Sequence, residues 1–467
     1  MTATPEYNAA ILIAGCAQVR KATTGTPNSK AFRRCAGRSI GAAICTILMW
    51  STSLACSSSK AGTVNGPCYG NGTCNSGLVC FSQLCVGPGD GGTNSVTINP
   101  LVISAATRTE RITTLSINYW QWMPGYAYGD EIAGTDALVA ALKPALMRVG
   151  GYDNDVNTPN PLDNAAFDKA VAYARAIGAE PLIQVPLLAD NNGQPPTPDT
   201  AAAMVAYANI TMGYGIKYFS VGNEPDLYGD QGSVANRELP AIPGYTPTDY
   251  CTSARADVVA MKAVDPTIMI VGPDLAYKYQ SGSSSNDWLT PILNDCGDLF
   301  DIVSIHRYPF EALQAKLVAA AADPAAFRGV ITSVFGILQA TGQGAKPLAL
   351  TEMNVAYDAT TCVLDASPGT VGSALWMADS VGMAIELGLW TTAVWDISDA
   401  ADWDLGLIGV PPAHTPQPSY YAYAFYADHF GPTLVKVTTA PPGVSGTDLC
   451  KARRGDLIGR GGSWGAG

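Results

Sequence analysis

Two glutamates hold the residues best suited to chemistry: Glu224 in "SVGNEPDLY" and Glu352 in "LALTEMN". Each ends a short apolar run of the kind that forms a buried strand, so each carboxylate is delivered to the loop rim where that strand stops. Two carboxyl groups placed this way suit a division of labour, one holding a proton to donate while the other stays charged and attacks. Taken alone, Asn223-Glu224-Pro225 is an ordinary turn sequence; the second glutamate at a later strand end gives it weight. Other strand-end positions carry Arg148, Asn223, Asp274, His306, Tyr308, Asn354, Trp395 and Asp396, and the first strand leads into Tyr119, Trp120 and Trp122. Trp120 and Trp122 read as substrate platforms, because large aromatics at a rim otherwise need a cover. Asp274 and Asp396 read equally as helix caps or sugar contacts, and His429 belongs to the last helix.

The elements that must position these residues alternate regularly. Eight strand-like runs, "TTLSINY", "ALMRVGG", "PLIQVPL", "IKYFSVGNEP", "TIMIVGPDL", "FDIVSIHRY", "PLALTEMN" and "LWTTAVWDI", are separated by helical stretches. In "DNAAFDKAVAYARAIG" Asp163 can cap the first turn, Phe167, Val171, Ala174 and Ile177 share a face, and Gly178 suits a left-handed exit. Strand and helix in alternation imply parallel strands with right-handed crossovers, and eight such units predict an α/β fold, a closed (β/α)8 TIM barrel. An open doubly wound sheet is the alternative, but "INYWQWMPG" after the first strand is aromatic where a phosphate loop would be glycine-rich. Chemistry in a barrel gathers at the C-terminal ends of its strands, where these side chains fall.

With Glu224 on the fourth strand and Glu352 on the seventh, residues 113 to about 431 resemble a retaining glycoside hydrolase of clan A. "KYFSVGNEPDLY", "LMRVGG", "SIHRYP" and "LALTEMN" are most similar to families 44, 39, 51 and 79. The resemblance implies Glu224 as acid/base and Glu352 as nucleophile, with Asn223 on the sugar hydroxyl beside the anomeric carbon and Arg148 paired with Glu352. It further implies His306 and Tyr308 as orienting groups, Trp395 as the floor of the subsite, a β-linked polysaccharide or oligosaccharide as substrate, and no metal or organic cofactor. Two alternatives stand beside it: an inactive surface carbohydrate-binding lipoprotein, and an exo-acting family 79-like β-glucuronidase, which would need a basic contact for the substrate carboxylate.

The rest of the 467-residue chain bears on location and partners. A formal net charge of -12 argues against nucleic acid as a partner. Lys30, Arg33, Arg34 and Arg38 precede "SIGAAICTILMWSTSLA", an apolar run of secretory length, and "SLAC" resembles a bacterial lipobox that would lipidate Cys56. A secreted or outer-surface protein, with or without a lipid anchor to a bacterial membrane, is therefore expected. Cys68, Cys74, Cys80 and Cys85 crowd a short polar stretch that needs cross-links to hold a shape, with zinc the competing reading. Cys251 and Cys296 could form a further bridge, while Cys362 and Cys450 have no evident partners. The expected division is an N-terminal extension and signal sequence (1–55), a Cys-rich module and linker (56–92), a leading β-sandwich strand (93–112), the barrel (113–431) and an incomplete C-terminal β-domain (432–467). In the last, "TLVKVTT" fits a returning strand, but "CKARRGDLIGRGGSWGAG" lacks alternation, which suggests truncation or a frameshift near residue 445.

Overall fold

The computed structural model describes residues 60–63, 68–81, 84–86, 103–108, 114–119, 129–130, 132–156, 162–190, 192, 194–229, 242–279, 287–311, 315–358, 366, 368–399, 405–409, 412–429 and 434–437. The signal-like segment, Cys56, Trp120, Trp122, Cys362 and Cys450 lie outside them. The chain divides into two compact units, Met1–Thr93 and Asn94–Gly467.

In the first unit, strands β1 (Val79–Phe81) and β2 (Leu84–Val86) form an antiparallel pair. Disulfides join Cys68 to Cys80 and Cys74 to Cys85 across Cα separations of 5.7 and 5.6 Å. All four sulfurs are thereby used, which decides between the two readings of this module: it is held by cross-links, as a segment too short for its own core requires.

The first described strand of the second unit, β3 (Ile103–Arg108), lies in the expected leading-strand segment 93–112, the other residues of which lie outside the described ones. The eight expected barrel strands follow: β4 (Thr114–Tyr119), β5 (Leu146–Val149), β6 (Glu180–Val185), β7 (Tyr218–Val221), β8 (Met269–Leu275), β9 (Ile302–Arg307), β10 (Leu348–Met353) and β11 (Thr391–Val394). All neighbours pair in parallel, and β11 returns to β4 through Thr391 opposite Thr114 and Val394 opposite Ile117, closing the barrel. Outside it run α1 (Asp136–Ala141), α2 (Tyr152–Val156), α3 (Asn164–Ala176), α4 (Pro198–Val205), α5 (Pro247–Val264), α6 (Leu289–Cys296), α7 (Leu317–Ala340), α8 (Val371–Leu387) and α9 (Pro418–His429). The last described strand, β12 (Leu434–Val437), lies within "TLVKVTT" and pairs antiparallel with β3. Any further strands of a sandwich would fall beyond residue 437, outside the described residues.

Local sequence accounts for these elements. The Asp163 side chain accepts a hydrogen bond from the Ala166 amide at 2.9 Å and caps α3, while Phe167, Val171 and Ala174 are buried along one face. The Cys251–Cys296 disulfide, Cα to Cα 5.6 Å, ties α5 to α6. Inside the barrel the two-residue period of the strands sorts side chains by height. Leu182, Val271, Ile302 and Ala349 form an apolar cluster of their own, and two residues further along their strands stand the buried polar groups Gln184, Ser304 and Thr351. This polar layer is the base on which the site is built.

Candidate active site

Glu224 stands three residues past the end of β7, in a backbone conformation that its sequence must be forced into. Gly222 has φ +74°, and a Cβ there would come within 2.6 Å of Leu187 and 2.8 Å of the Tyr228 hydroxyl, so the strand exit requires glycine. Glu224 itself is left-handed (φ 50°, ψ 52°), a conformation that costs a non-glycine residue of order 1 kcal/mol. Neighbouring loops hold it there. Its amide donates to the carbonyl of Asp274, also at positive φ, at 3.0 Å. Two residues on, the buried Asp226 carboxylate accepts from the amides of Ala276, Tyr277 and Lys278 at 2.9, 3.1 and 3.0 Å. The loops after β7 and β8 therefore behave as one piece.

Glu352 reaches the same space through an irregularity in β10. The register of β10 against β9 shifts between Leu350 and Glu352, so Thr351 turns into the polar layer while the next side chain also addresses the site. Such bulges re-aim side chains beside active sites. Both Glu352 oxygens are engaged: Oε1 accepts from Arg148 Nη1 and Oε2 from the Tyr308 hydroxyl, each at 2.7 Å. Burial first, and the nearby Glu352 second, push the Tyr308 hydroxyl well above its usual range, so it remains a proton donor.

Arg148 organises the layer beneath. Wholly buried, it donates to Asn223 Oδ1 (2.8 Å), Asn118 Oδ1 (3.1 Å), Gln184 Oε1 (3.2 Å) and Asp274 Oδ2 (3.2 Å) as well as to Glu352. Burial alone would lower its pKa, but Asp274 and Glu352 outweigh it and the net direction is up. Gly150 makes room for the guanidinium, since a Cβ there would lie 2.6 Å from Gln184 Oε1 and 2.9 Å from Arg148 Cζ. Because Arg148 occupies the oxygen of the Asn223 amide, the Nδ2 donor is the end left for a ligand.

His306 joins the two glutamates. Its Nδ1 lies 3.0 Å from Glu224 Oε1 and 3.5 Å from Glu352 Oε2, and its Nε2 lies 4.0 Å from Asp274 Oδ1. Burial opposes charge on the ring, yet Glu352 and then Glu224 raise its pKa above the ordinary value. Glu224 and His306 can thus hold a proton between them. Glu224, His306 and Glu352 each place one donor atom within 4.8 Å of the others, a set a divalent cation could also use. The bonds from Arg148 and Tyr308 already occupy both oxygens of Glu352, which suits an aimed nucleophile better than a metal ligand.

Trp395 lies over Gly151, where a Cβ would meet its ring at 2.4 Å. The Gly151 amide donates to Gln184 Oε1 at 2.7 Å, which places the indole next to the Arg148 layer. Asn354 fixes the loop that carries it, donating to the carbonyls of Trp395 (2.5 Å) and Leu405 (2.8 Å).

The structure therefore brings together Arg148, Asn223, Glu224, His306, Tyr308 and Glu352, with Trp395 beside them; Trp120 and Trp122 lie outside the described residues. Asp274 is neither a helix cap nor an exposed sugar contact. It is a buried anchor beneath Arg148, bonded by Ser304 and, at 2.5 Å, by Thr351; burial raises its pKa, and Arg148 and His306 lead the groups that bring it below the usual value. Asp396 is likewise fully buried. Sequence reasoning missed Asn118 and Gln184, although a polar residue at an inward position of an otherwise apolar strand is a readable signal.

No protein-family model and no curated protein matches the chain. Solved structures do. An α-L-arabinofuranosidase of family 51 from Bifidobacterium longum is 15% identical over 73% of this chain and 78% of its own, with a TM-score of 0.54. An α-L-arabinofuranosidase from Thermotoga maritima, solved with arabinose, is 18% identical over 71% and 73%, with a TM-score of 0.51. A GH39 β-xylosidase from Caulobacter crescentus is 17% identical over 73% and 76%, with a TM-score of 0.50. At these identities the likeness carries the fold: the chain has the eight-stranded parallel barrel found in clan A glycoside hydrolases of families 51 and 39.

Proposed function

We propose that this protein is a retaining glycoside hydrolase that cleaves β-linked polysaccharide or oligosaccharide by double displacement. The observation that carries this reading is the convergence of Glu224 and Glu352 within 4.8 Å of each other's oxygens, with Glu352 held by a buried arginine and a tyrosine hydroxyl and Glu224 beside the His306 ring. Close spacing suits direct attack by a carboxylate, because an inverting pair needs room for a water between them. These partners support the following division of roles. Glu352, aimed by Arg148 and Tyr308, attacks the anomeric carbon as the glycosidic C–O bond breaks. Glu224, which shares a proton with His306, protonates the departing oxygen. Once Glu352 is esterified its negative charge is gone, which favours the ionised form of Glu224, and that carboxylate takes a proton from the water that attacks the glycosyl-enzyme. The Asn223 amide donates to the neighbouring sugar hydroxyl, an interaction that strengthens in the oxocarbenium-like transition state.

We further propose that the protein works outside the cytoplasm, secreted or lipid-anchored through Cys56. The three disulfides among the described residues support an oxidising compartment. A glucuronidase would need a cation at the mouth. Among the described residues, Lys278 in the loop beside Asp226 already donates to the Asp226 carbonyl at 2.5 Å and is engaged in holding that loop. The test is hydrolysis of a panel of aryl glycosides and β-glucans by the wild-type chain, Glu224→Gln and Glu352→Gln. Activity lost in both variants supports the assignment, and activity kept in either overturns it. A folded wild type that binds glycans without turnover returns the binding-protein reading.

A further inference from the structure

Asp155, in α2, lies outside the sequence-derived site and is fully buried. Its Oδ1 accepts from the Leu187 amide at 2.7 Å, and its Oδ2 accepts from the Asn223 amide at 3.3 Å and from the Tyr228 hydroxyl. The Asp155 carbonyl accepts from the amides of Leu188 and Ala189 at 3.2 and 3.0 Å. Tyr228 also places its hydroxyl 3.2 Å from the Asn223 amide. One residue thus ties the loops after β5, β6 and β7, and its last contact is to the residue immediately before Glu224.

We infer that Asp155 is a positioning residue for Asn223 and Glu224, its carboxyl group and Tyr228 together setting where the Glu224 side chain meets His306. Burying this carboxyl group is costly, since burial pushes it up to about 7 in spite of the hydrogen bonds from Tyr228, Leu187 and Asn223. Asp155 touches neither glutamate. It acts through the Asn223 backbone, and the left-handed Glu224 that follows leaves little slack in the chain. The effect of Asp155 on turnover rests on the glycosidase reading.

The test uses the full chain with Asp155→Asn, Asp155→Ala and Tyr228→Phe, and two readouts. The chain has three histidines, so ring resonances resolve the titration of His306 with His414 and His429 as internal controls. The expected result is a displaced His306 midpoint in Asp155→Ala and Tyr228→Phe, a smaller displacement in Asp155→Asn, and unmoved controls. Tyr228→Phe keeps the Asp155 carboxyl group and its contacts to Leu187 and Asn223 while removing the Tyr228 link. In the same samples kcat falls, on the order of 10²-fold in Asp155→Ala, with a much smaller change in KM and partial recovery in Asp155→Asn. Wild-type His306 titration and kcat in folded Tyr228→Phe and Asp155→Asn would overturn the inference, even where Asp155→Ala fails to fold. If the wild type hydrolyses no glycoside, the glycosidase reading falls and the histidine titration alone decides the positioning role.

Discussion

Glu224 and Glu352 meet the same nitrogen of His306, at 3.0 and 3.5 Å. The charge of this ring is therefore coupled to both carboxylates.

His306 should titrate above its ordinary value of 6.5, because the two glutamates outweigh the effect of burial. A raised folded pKa means that the stabilisation is fully present below 6.5 and is lost as pH rises through the folded value. Glu352→Gln removes the leading cause of the rise, so the midpoint of His306 should fall when followed by NMR. A midpoint unchanged by Glu352→Gln would show that the coupling is absent.

Asp274 and Asp155 should affect stability with opposite signs. Asp274 has a lowered pKa, so its contribution is present above 3.8 and lost as pH falls below that value. Asp155 is raised, so its contribution is complete below 3.8 and lost as pH rises through about 7. Denaturant unfolding of Asp274→Asn at neutral pH should show a loss of about 3 kcal/mol, because Arg148 then loses one of its buried charge partners. Asp155→Asn should flatten the stability profile between these two pH limits.

Trp395→Ala should raise KM roughly tenfold, the scale of about 1.4 kcal/mol of lost aromatic contact. Asn354→Ala should act in the same direction by freeing the Trp395 carbonyl. Steady-state kinetics on the best substrate would check both, and an unaltered KM in Trp395→Ala would remove the indole from the subsite.

Replacing both Cys251 and Cys296 with serine should cost about 3 kcal/mol in unfolding free energy, since the bridge closes a long loop of the unfolded chain. The bridge joins two outer helices, so kcat/KM should stay near the wild-type value at temperatures where the variant is folded. A large loss of kcat/KM there would mean that α5 and α6 shape the site.

The barrel was legible because each strand and helix announces itself over several residues, and eight alternations leave few topologies. The strand-end positions were legible for a related reason: a strand's direction fixes which end reaches the mouth, so Arg148, Glu224, His306 and Glu352 could be placed by counting. What escaped were groups defined by contacts between distant segments. Asp274 looked like a cap or a sugar contact because nothing in "IVGPDL" reveals that Arg148, Ser304 and Thr351 close over it. Asp155 lies in "YDNDV", where its neighbours suggest a solvated turn, and only the folded chain brings Leu187, Asn223 and Tyr228 to it. The bulge that turns Glu352 into the site leaves no mark in "LALTEMN".

The proposed reaction is a double displacement at the anomeric carbon, with Glu352 as nucleophile and Glu224 as acid/base. It is tested most directly by proton NMR of the first sugar released from a β-glycoside, recorded before mutarotation. The expected first product is a β-anomer, its configuration retained through a glycosyl-Glu352 intermediate. A first-formed α-anomer would show inversion by a single displacement and would contradict it.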